Sequence, residues 1–276
     1  MTTSTTIPSA VSGRSALEVA RASARAAGAI ALENFRRPQD ITVKGRGNLM
    51  TETDLAMERE IKTTLAREFP AHRILAEETS SDTDTAGWVW VVDPLDGTRN
   101  FVSGIPYFSV NIALCLDGDP VVAVTYDPNQ DEVFSAEQGA GAWVNDVPAG
   151  ASGQSGLATS VVSVDVGYDE QRGRSLLRLA RELLPDIQTI RISGSAALGL
   201  AYAACGRYDL FIHRYLYPWD VAAGILLVQE AGGTITNDRG EPITLDSRSA
   251  IAGGPKVHAD LFRWREAHHF SFDEGD

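Results

Sequence analysis

Asp93 and Asp96 stand three residues apart in Asp93-Pro-Leu-Asp96-Gly97-Thr98, directly after the apolar run Trp88-Val-Trp-Val-Val. The run reads as a buried strand, and Pro94 and Gly97 break it into a turn. A turn can bring both carboxylates to one side. Paired oxygen ligands at a strand end suit Mg²⁺, which takes one or two carboxylates together with phosphate oxygens. Gly97-Thr98-Arg99-Asn100 reads as a helix opening, where free backbone N–H groups bind phosphate. Metal-assisted phosphoryl chemistry is one reading of this loop. The other is an ordinary Asp-Pro…Asp-Gly turn whose carboxylates cap the backbone.

Two more acidic features bear on that choice. Arg73-Ile-Leu-Ala-Glu77-Glu78 is a short apolar strand ending in two acids. Successive strand side chains alternate faces, so one of the pair can aim at a given site. Farther on, Asp220 opens a nearly uncharged helix that closes at Gly232-Gly233. Asp favours a helix start for its own sake. This helix, however, is apolar almost all round and therefore buried. An acid at its mouth needs a partner, and a metal is a good one.

Asp54, Glu77-Glu78, DPLDGT at 93–98 and WDVAAG at 219–224 together resemble the inositol monophosphatase family. The likeness runs from about Ser15 to about Trp264. It implies an α/β fold, a sandwich of alternating helix and sheet layers with the site between two halves. It also implies a homodimeric, lithium-sensitive phosphomonoesterase using two or three Mg²⁺ ions. In that arrangement Glu77, Asp93 and the Leu95 carbonyl hold one ion, and Asp93, Asp96 and Asp220 hold a second. Two such ions about 3.5–4 Å apart steady an in-line displacement. Thr98, bonded to Asp54, would orient the attacking water, and the Gly97 and Thr98 N–H groups would hold phosphate oxygens. Gly194, Ser195 and Ala196 would line the substrate hydroxyls. From the residues alone, Asp54 reads more plainly as a first-turn helix acid favourable to the dipole, whereas for Thr98 a helix cap and the catalytic role can coexist.

At position 213 inositol-type members often carry a Glu, and this chain has His213. A protonated histidine would pair with a second anionic group on the substrate; a structural histidine at a strand end is the equal alternative. The departure keeps fructose bisphosphate, histidinol phosphate and phosphoadenosine phosphate beside inositol 1-phosphate as substrates. The family also holds bacterial relatives that act through the transcription or ribosome machinery. A regulatory interaction protein with a vestigial site is thus the alternative of another class.

Other chemistries fit less well. Aspartyl-phosphate phosphatases use Asp-x-Asp-Gly-Thr, a spacing that Leu95 breaks. The five histidines and two cysteines show no zinc spacing. Gly-x-Ser-x-Gly and Walker-type loops are absent.

The formal net charge of −13 argues against nucleic acid or an anionic membrane as partner. No apolar run is long enough to span a bilayer. Cys115 and Cys205 sit in apolar segments and read as reduced residues of a cytoplasmic protein. Residues 1–13, rich in Ser and Thr, read as a disordered leader. Residues 14–270 read as one catalytic unit with lobes at about 14–147 and 154–270. Helical spacing is expected over 15–35, and a hairpin near 41–44 turning at Gly45 and Gly47. A helix capped by Thr51 follows to about Glu68. Strands are expected near 73–77, 88–92, 108–116, 120–126 and 132–136, and 148–153 reads as a loop between the halves. Strands at 159–165, 187–192 and 208–213 alternate with helices at 169–184, 195–205 and 219–231. Short strands near 234 and 250 and a helix over 256–267 finish the chain.

Overall fold

The computed structural model describes residues 6–45, 48–80 and 84–272. Residues 1–5 of the expected leader and Gly47 of the expected hairpin turn lie outside the described residues.

The first half runs α1 (Ala16–Asn34), β1 (Ile41–Val43), β2 (Leu49–Thr51), α2 (Glu52–Glu68), β3 (Arg73–Ala76), β4 (Trp88–Asp96), α3 (Thr98–Val102), β5 (Ser109–Leu116), β6 (Asp119–Asp127), β7 (Glu132–Glu137), β8 (Gly141–Val144) and β9 (Val147–Ala149). The second half runs β10 (Val161–Asp165), α4 (Glu170–Leu183), β11 (Thr189–Arg191), α5 (Ala196–Ala204), β12 (Leu210–His213), α6 (Pro218–Glu230), β13 (Thr234–Thr236), β14 (Ala250–Gly253) and α7 (Pro255–Ala267).

Strands β3 to β9 form one sheet in chain order, antiparallel apart from the β3–β4 pair. A second sheet has the order β11-β10-β12-β14-β13. The period of two in the strands separates the layers. In β4, Trp90 and Val92 face α1 and α2, whereas Val89 and Val91 face α5 and α6. In β12, Phe211 faces the same middle helices, and Leu210 and Ile212 turn to α4 and α7. The result is five layers, helix–sheet–helix–sheet–helix, with α5 and α6 buried between the two sheets. This is the expected α/β sandwich. No helix among the described residues is long and apolar enough to cross a membrane.

The middle layer is tight because α5 and α6 approach closely. A Cβ at Gly224 would lie 2.4 Å from Leu200 Cδ1 and 2.7 Å from its Cβ. Only glycine fits without a shift. Gly224→Ala is expected to cost about 1–3 kcal/mol, the usual penalty for overpacking, read from urea unfolding of the metal-free protein.

Two expectations change. The described part of the leader is packed: Ala10 is buried, Val11 N–H donates to the Glu68 carbonyl (2.9 Å), and Arg14 pairs with Glu68 (2.8 Å). Its anchor is Ile7 and Ala10 against the first hydrophobic core. The expected loop at 148–153 begins inside a strand: β9 (Val147–Ala149) pairs with β8 in a hairpin that turns at Asn145 with φ 54°. Asn tolerates that left-handed conformation, and the Asn-Asp pair between short apolar runs is the turn signal.

Candidate active site

Each acid reaches the site from the end of an element. Asp93 and Asp96 close β4, where the register with β5 shifts between them. Gly97 follows in the left-handed region (φ 91°), and a Cβ there would meet the Tyr107 carbonyl at 3.1 Å. The chain can turn from β4 into α3 here because the residue is glycine. Asp220 is the third residue of α6 and accepts the Tyr217 N–H at 2.7 Å. Helix capping and site placement therefore coincide in Asp220. The same holds for Asp54, which accepts the Thr51 N–H at 2.8 Å at the start of α2.

Asp93, Asp96 and Asp220 each offer a carboxylate oxygen within 4.8 Å of the others. No described cation forms an ion pair with any of the three. Burial, followed by repulsion from Glu77, Asp96 and Asp220, pushes the Asp93 carboxyl well above its usual range. Burial and the Glu77 and Asp96 charges do the same to Asp220. Asp96 is also raised by burial, against opposing hydrogen bonds. Those bonds come from Ser195 Oγ, the Ala196 N–H (3.1 Å), the Ala197 N–H (2.9 Å) and Ser109 Oγ (3.2 Å). Buried oxygen ligands short of positive charge fit a hard divalent cation, and no histidine or cysteine joins the cluster.

Thr98 Oγ1 lies 3.0 Å from Asp54 Oδ1 and 2.9 Å from the Leu95 carbonyl, and its single proton can be donated to either. Burial lifts Asp54 to about 6, although the Thr51 and Thr98 hydrogen bonds pull it down. Glu77 lines the cavity, and Glu78 does not. Strand alternation is not the reason, because β3 ends at Ala76 and both acids lie in the following turn. Lys44 Nζ holds Glu77 Oε1 and Glu78 Oε2, each at 2.8 Å. Glu58 takes the Glu78 N–H at 2.8 Å. Burial and the neighbouring Glu77 charge raise Glu78 to about 7.

These groups line a cavity of about 400 Å³ between the two sheets' helical layer and α3, within the range of small-molecule sites. Gly97, Thr98, Gly194, Ser195, Ala196 and His213 all line it. The structure corrects two details. Ser195 Oγ and the Ala196 N–H are committed to Asp96, so their polar groups position an acid rather than wait for substrate. His213 is neutral: burial drives its pKa down to about 3, and its Nδ1 accepts the Tyr215 N–H at 3.0 Å. Burial thus works against the protonated His213 expected as partner for a second substrate anion.

Sequence reasoning missed Asp165. It ends β10 at the cavity, and its Oδ1 accepts the Ser193 and Gly194 N–H groups, each at 2.8 Å. Its other oxygen is buried without a partner, and burial raises the carboxyl to about 7. The signal was present: Val161-Val-Ser-Val-Asp165 is an apolar strand ending in an acid, the same syntax as Asp93. Tyr168, Tyr215 and Tyr217 complete the wall opposite the acids.

The inositol monophosphatase family model matches residues 13–269. An inositol monophosphatase of Dictyostelium discoideum is 39% identical over 238 residues, covering 83% of this chain and 87% of that protein. The protein named Nus factor SuhB of Escherichia coli K12 is 36% identical over 245 residues, 87% of this chain and 92% of its own. Among solved structures, the extragenic suppressor protein suhB of Bartonella henselae superposes with a TM-score of 0.85 at 34% identity, covering 89% of this chain and 96% of that one. The buried acids thus have the context their chemistry asked for, and the chain belongs to the inositol monophosphatase family, as a phosphatase that hydrolyses phosphomonoesters.

Proposed function

We propose that the chain is a Mg²⁺-dependent phosphatase of a small sugar or polyol monophosphate such as inositol 1-phosphate. The observation that carries this reading is the buried Asp93–Asp96–Asp220 cluster, set beside the Thr98–Asp54 hydrogen bond. Glu77, Asp93, the Leu95 carbonyl, Asp96 and Asp220 would hold two or three Mg²⁺ ions. Bound there, the ions would supply charge for the transferring phosphoryl group and lower the pKa of water. For Glu77 this requires Lys44 to give up one of its two carboxylate partners.

The chain's own residues do the rest. Asp54, near pKa 6, is ionised at neutral pH and can accept a proton relayed through Thr98 Oγ1. Gly97 and Thr98 sit at the first turn of α3, where backbone N–H groups lack helical acceptors and can hold phosphate oxygens. Gly194, Ser195, Ala196 and neutral His213 would form the wall against the leaving group. A neutral His213 supplies no charge for a second phosphate. This favours monophosphates over fructose 1,6-bisphosphate and phosphoadenosine phosphate.

Residues 14–270 would act as one catalytic unit, cytoplasmic, lithium-sensitive and homodimeric like the family. Relatives named Nus factor SuhB raise a regulatory role, but the complete set of acids supports retained catalysis, because buried carboxylates cost stability unless they bind metal. Phosphate release from inositol 1-phosphate, histidinol phosphate, fructose 1,6-bisphosphate and phosphoadenosine phosphate, with and without Mg²⁺, tests the reading. Turnover of inositol 1-phosphate is expected only with Mg²⁺, with inhibition by millimolar Li⁺. Mg²⁺-independent turnover, or none on any ester, would overturn it.

A further inference from the structure

A second cavity of about 260 Å³ lies behind the tyrosine wall. Among the described residues, Arg172, Arg214, Arg239 and Arg248 converge on it with one acid, Asp238, and Ser249. In a chain of net charge −13 this local surplus of arginine is out of character. Asp238 is already taken, since Arg214 Nε donates to its Oδ2 at 2.8 Å. Arg172, Arg239 and Arg248 form no ion pair with any described residue. Arg172 and Arg248 donate instead to the Arg214 carbonyl (2.9 Å) and the Leu216 carbonyl (3.1 Å). Guanidinium groups with spare donors around one small polar cavity repel one another until an anion joins them, and their forks match a tetrahedral oxyanion.

We propose that this cavity binds a small tetrahedral oxyanion, free phosphate or the phosphate group of a metabolite, at a site separate from the catalytic one. The chain between β12 and α6 divides the two cavities. His213, Tyr215 and Tyr217 line the first, and Arg214 lines the second. Arg172 lies over the Tyr215 ring at 5.9 Å and Arg248 over the Tyr217 ring at 4.5 Å. The two hydroxyls meet at 3.0 Å, and the Leu216 N–H donates to the Arg248 carbonyl at 3.1 Å. An anion gathering these arginines therefore braces the segment that carries the catalytic wall and leads into Asp220.

The test uses the full chain in EDTA at constant ionic strength. Without metal, the catalytic cavity lacks the divalent cations that would hold phosphate there, so calorimetric titration with sodium phosphate reads the arginine cavity. One saturable site is expected, weakened about tenfold or more by Arg239→Ala, a substitution at an exposed position. Asp93→Asn, which removes a negative charge from the catalytic cavity, should leave this affinity unchanged. Amide exchange over residues 214–219 should slow on phosphate addition in the parent chain and not in Arg239→Ala. Glycerol 2-phosphate, run in parallel, separates the sources: tighter binding than phosphate points to a metabolite, equal binding to the free ion. No saturable binding, an unchanged affinity in Arg239→Ala, or a tighter one in Asp93→Asn would overturn the proposal.

Discussion

Replacing Asp93 with asparagine is expected to lower kcat/KM for the phosphomonoester by about a hundredfold or more, the scale of losing one fixed electrostatic stabiliser in a closed site. Asn keeps the shape and can still accept the Leu95 N–H that Asp93 Oδ1 takes at 3.0 Å. What disappears is the charge at the centre of the cluster. The same loss removes repulsion with Glu77, Asp96 and Asp220 in the metal-free protein. Asp93→Asn should therefore melt higher than the parent in EDTA while its activity collapses. A merely structural Asp93 would show the opposite sign in the melt. Glu78→Gln is the control. Glu78 pairs with Lys44 outside the cavity lining, and its loss should cost less than about tenfold. Equal losses at the two positions would show that the metal is held elsewhere.

The second large effect is on stability. In the unfolded chain an Asp carboxyl loses its proton near pH 4. In the folded, metal-free protein Asp54 holds its proton to about pH 6 and Asp165 to about pH 7, both because they are buried. Between those values the folded state binds more protons than the unfolded one, so stability falls as pH rises from about 4 to about 7. For Asp165 alone the shift corresponds to on the order of 4 kcal/mol. Asp93 and Asp220, raised by burial and by the neighbouring acids, add to the decline. Mg²⁺ binding only to the folded state reverses it by mass action, about 2.7 kcal/mol at a hundred times Kd. For a chain of this size that is a rise of roughly 5–10 °C. Thermal melts in EDTA at pH 5, 6.5 and 8, each titrated with MgCl₂, should show the largest Mg²⁺ shift at pH 8. No shift there would remove the metal-site reading.

The sequence revealed most where composition and spacing carry strong physics. The apolar run before Asp93 could only be a buried strand, and the nearly uncharged stretch after Asp220 could only be a buried helix. Both sit where expected. The β8–β9 hairpin was less legible, because its glycines and short apolar runs give little periodicity, and its turn signal is one Asn-Asp pair. Asp165 was hidden by its solitude: a single strand-end acid has meaning only when the fold lays β10 against the cavity. The partners of Asp96 were invisible for a related reason. Ser195 and the N–H groups of Ala196 and Ala197 come from about a hundred positions away, and local pattern carries no information about such a meeting. The burial of His213 was illegible for the same reason: an exposed imidazole titrates near pH 6.5, whereas full burial favours the neutral ring.

The capture of Asp96 by the start of α5 also sets an order of events during synthesis. Every strand of the large sheet is present once residue 149 has left the ribosome, yet at that point Asp93 and Asp96 lack the second half that buries them. Ser109 Oγ reaches Asp96 from β5, but its other three donors arrive with residues 195–197, and the third acid of the cluster only with residue 220. No shorter nascent chain carries the complete set. On the proposed assignment of the metal site, phosphatase activity therefore waits for the docking of the second half.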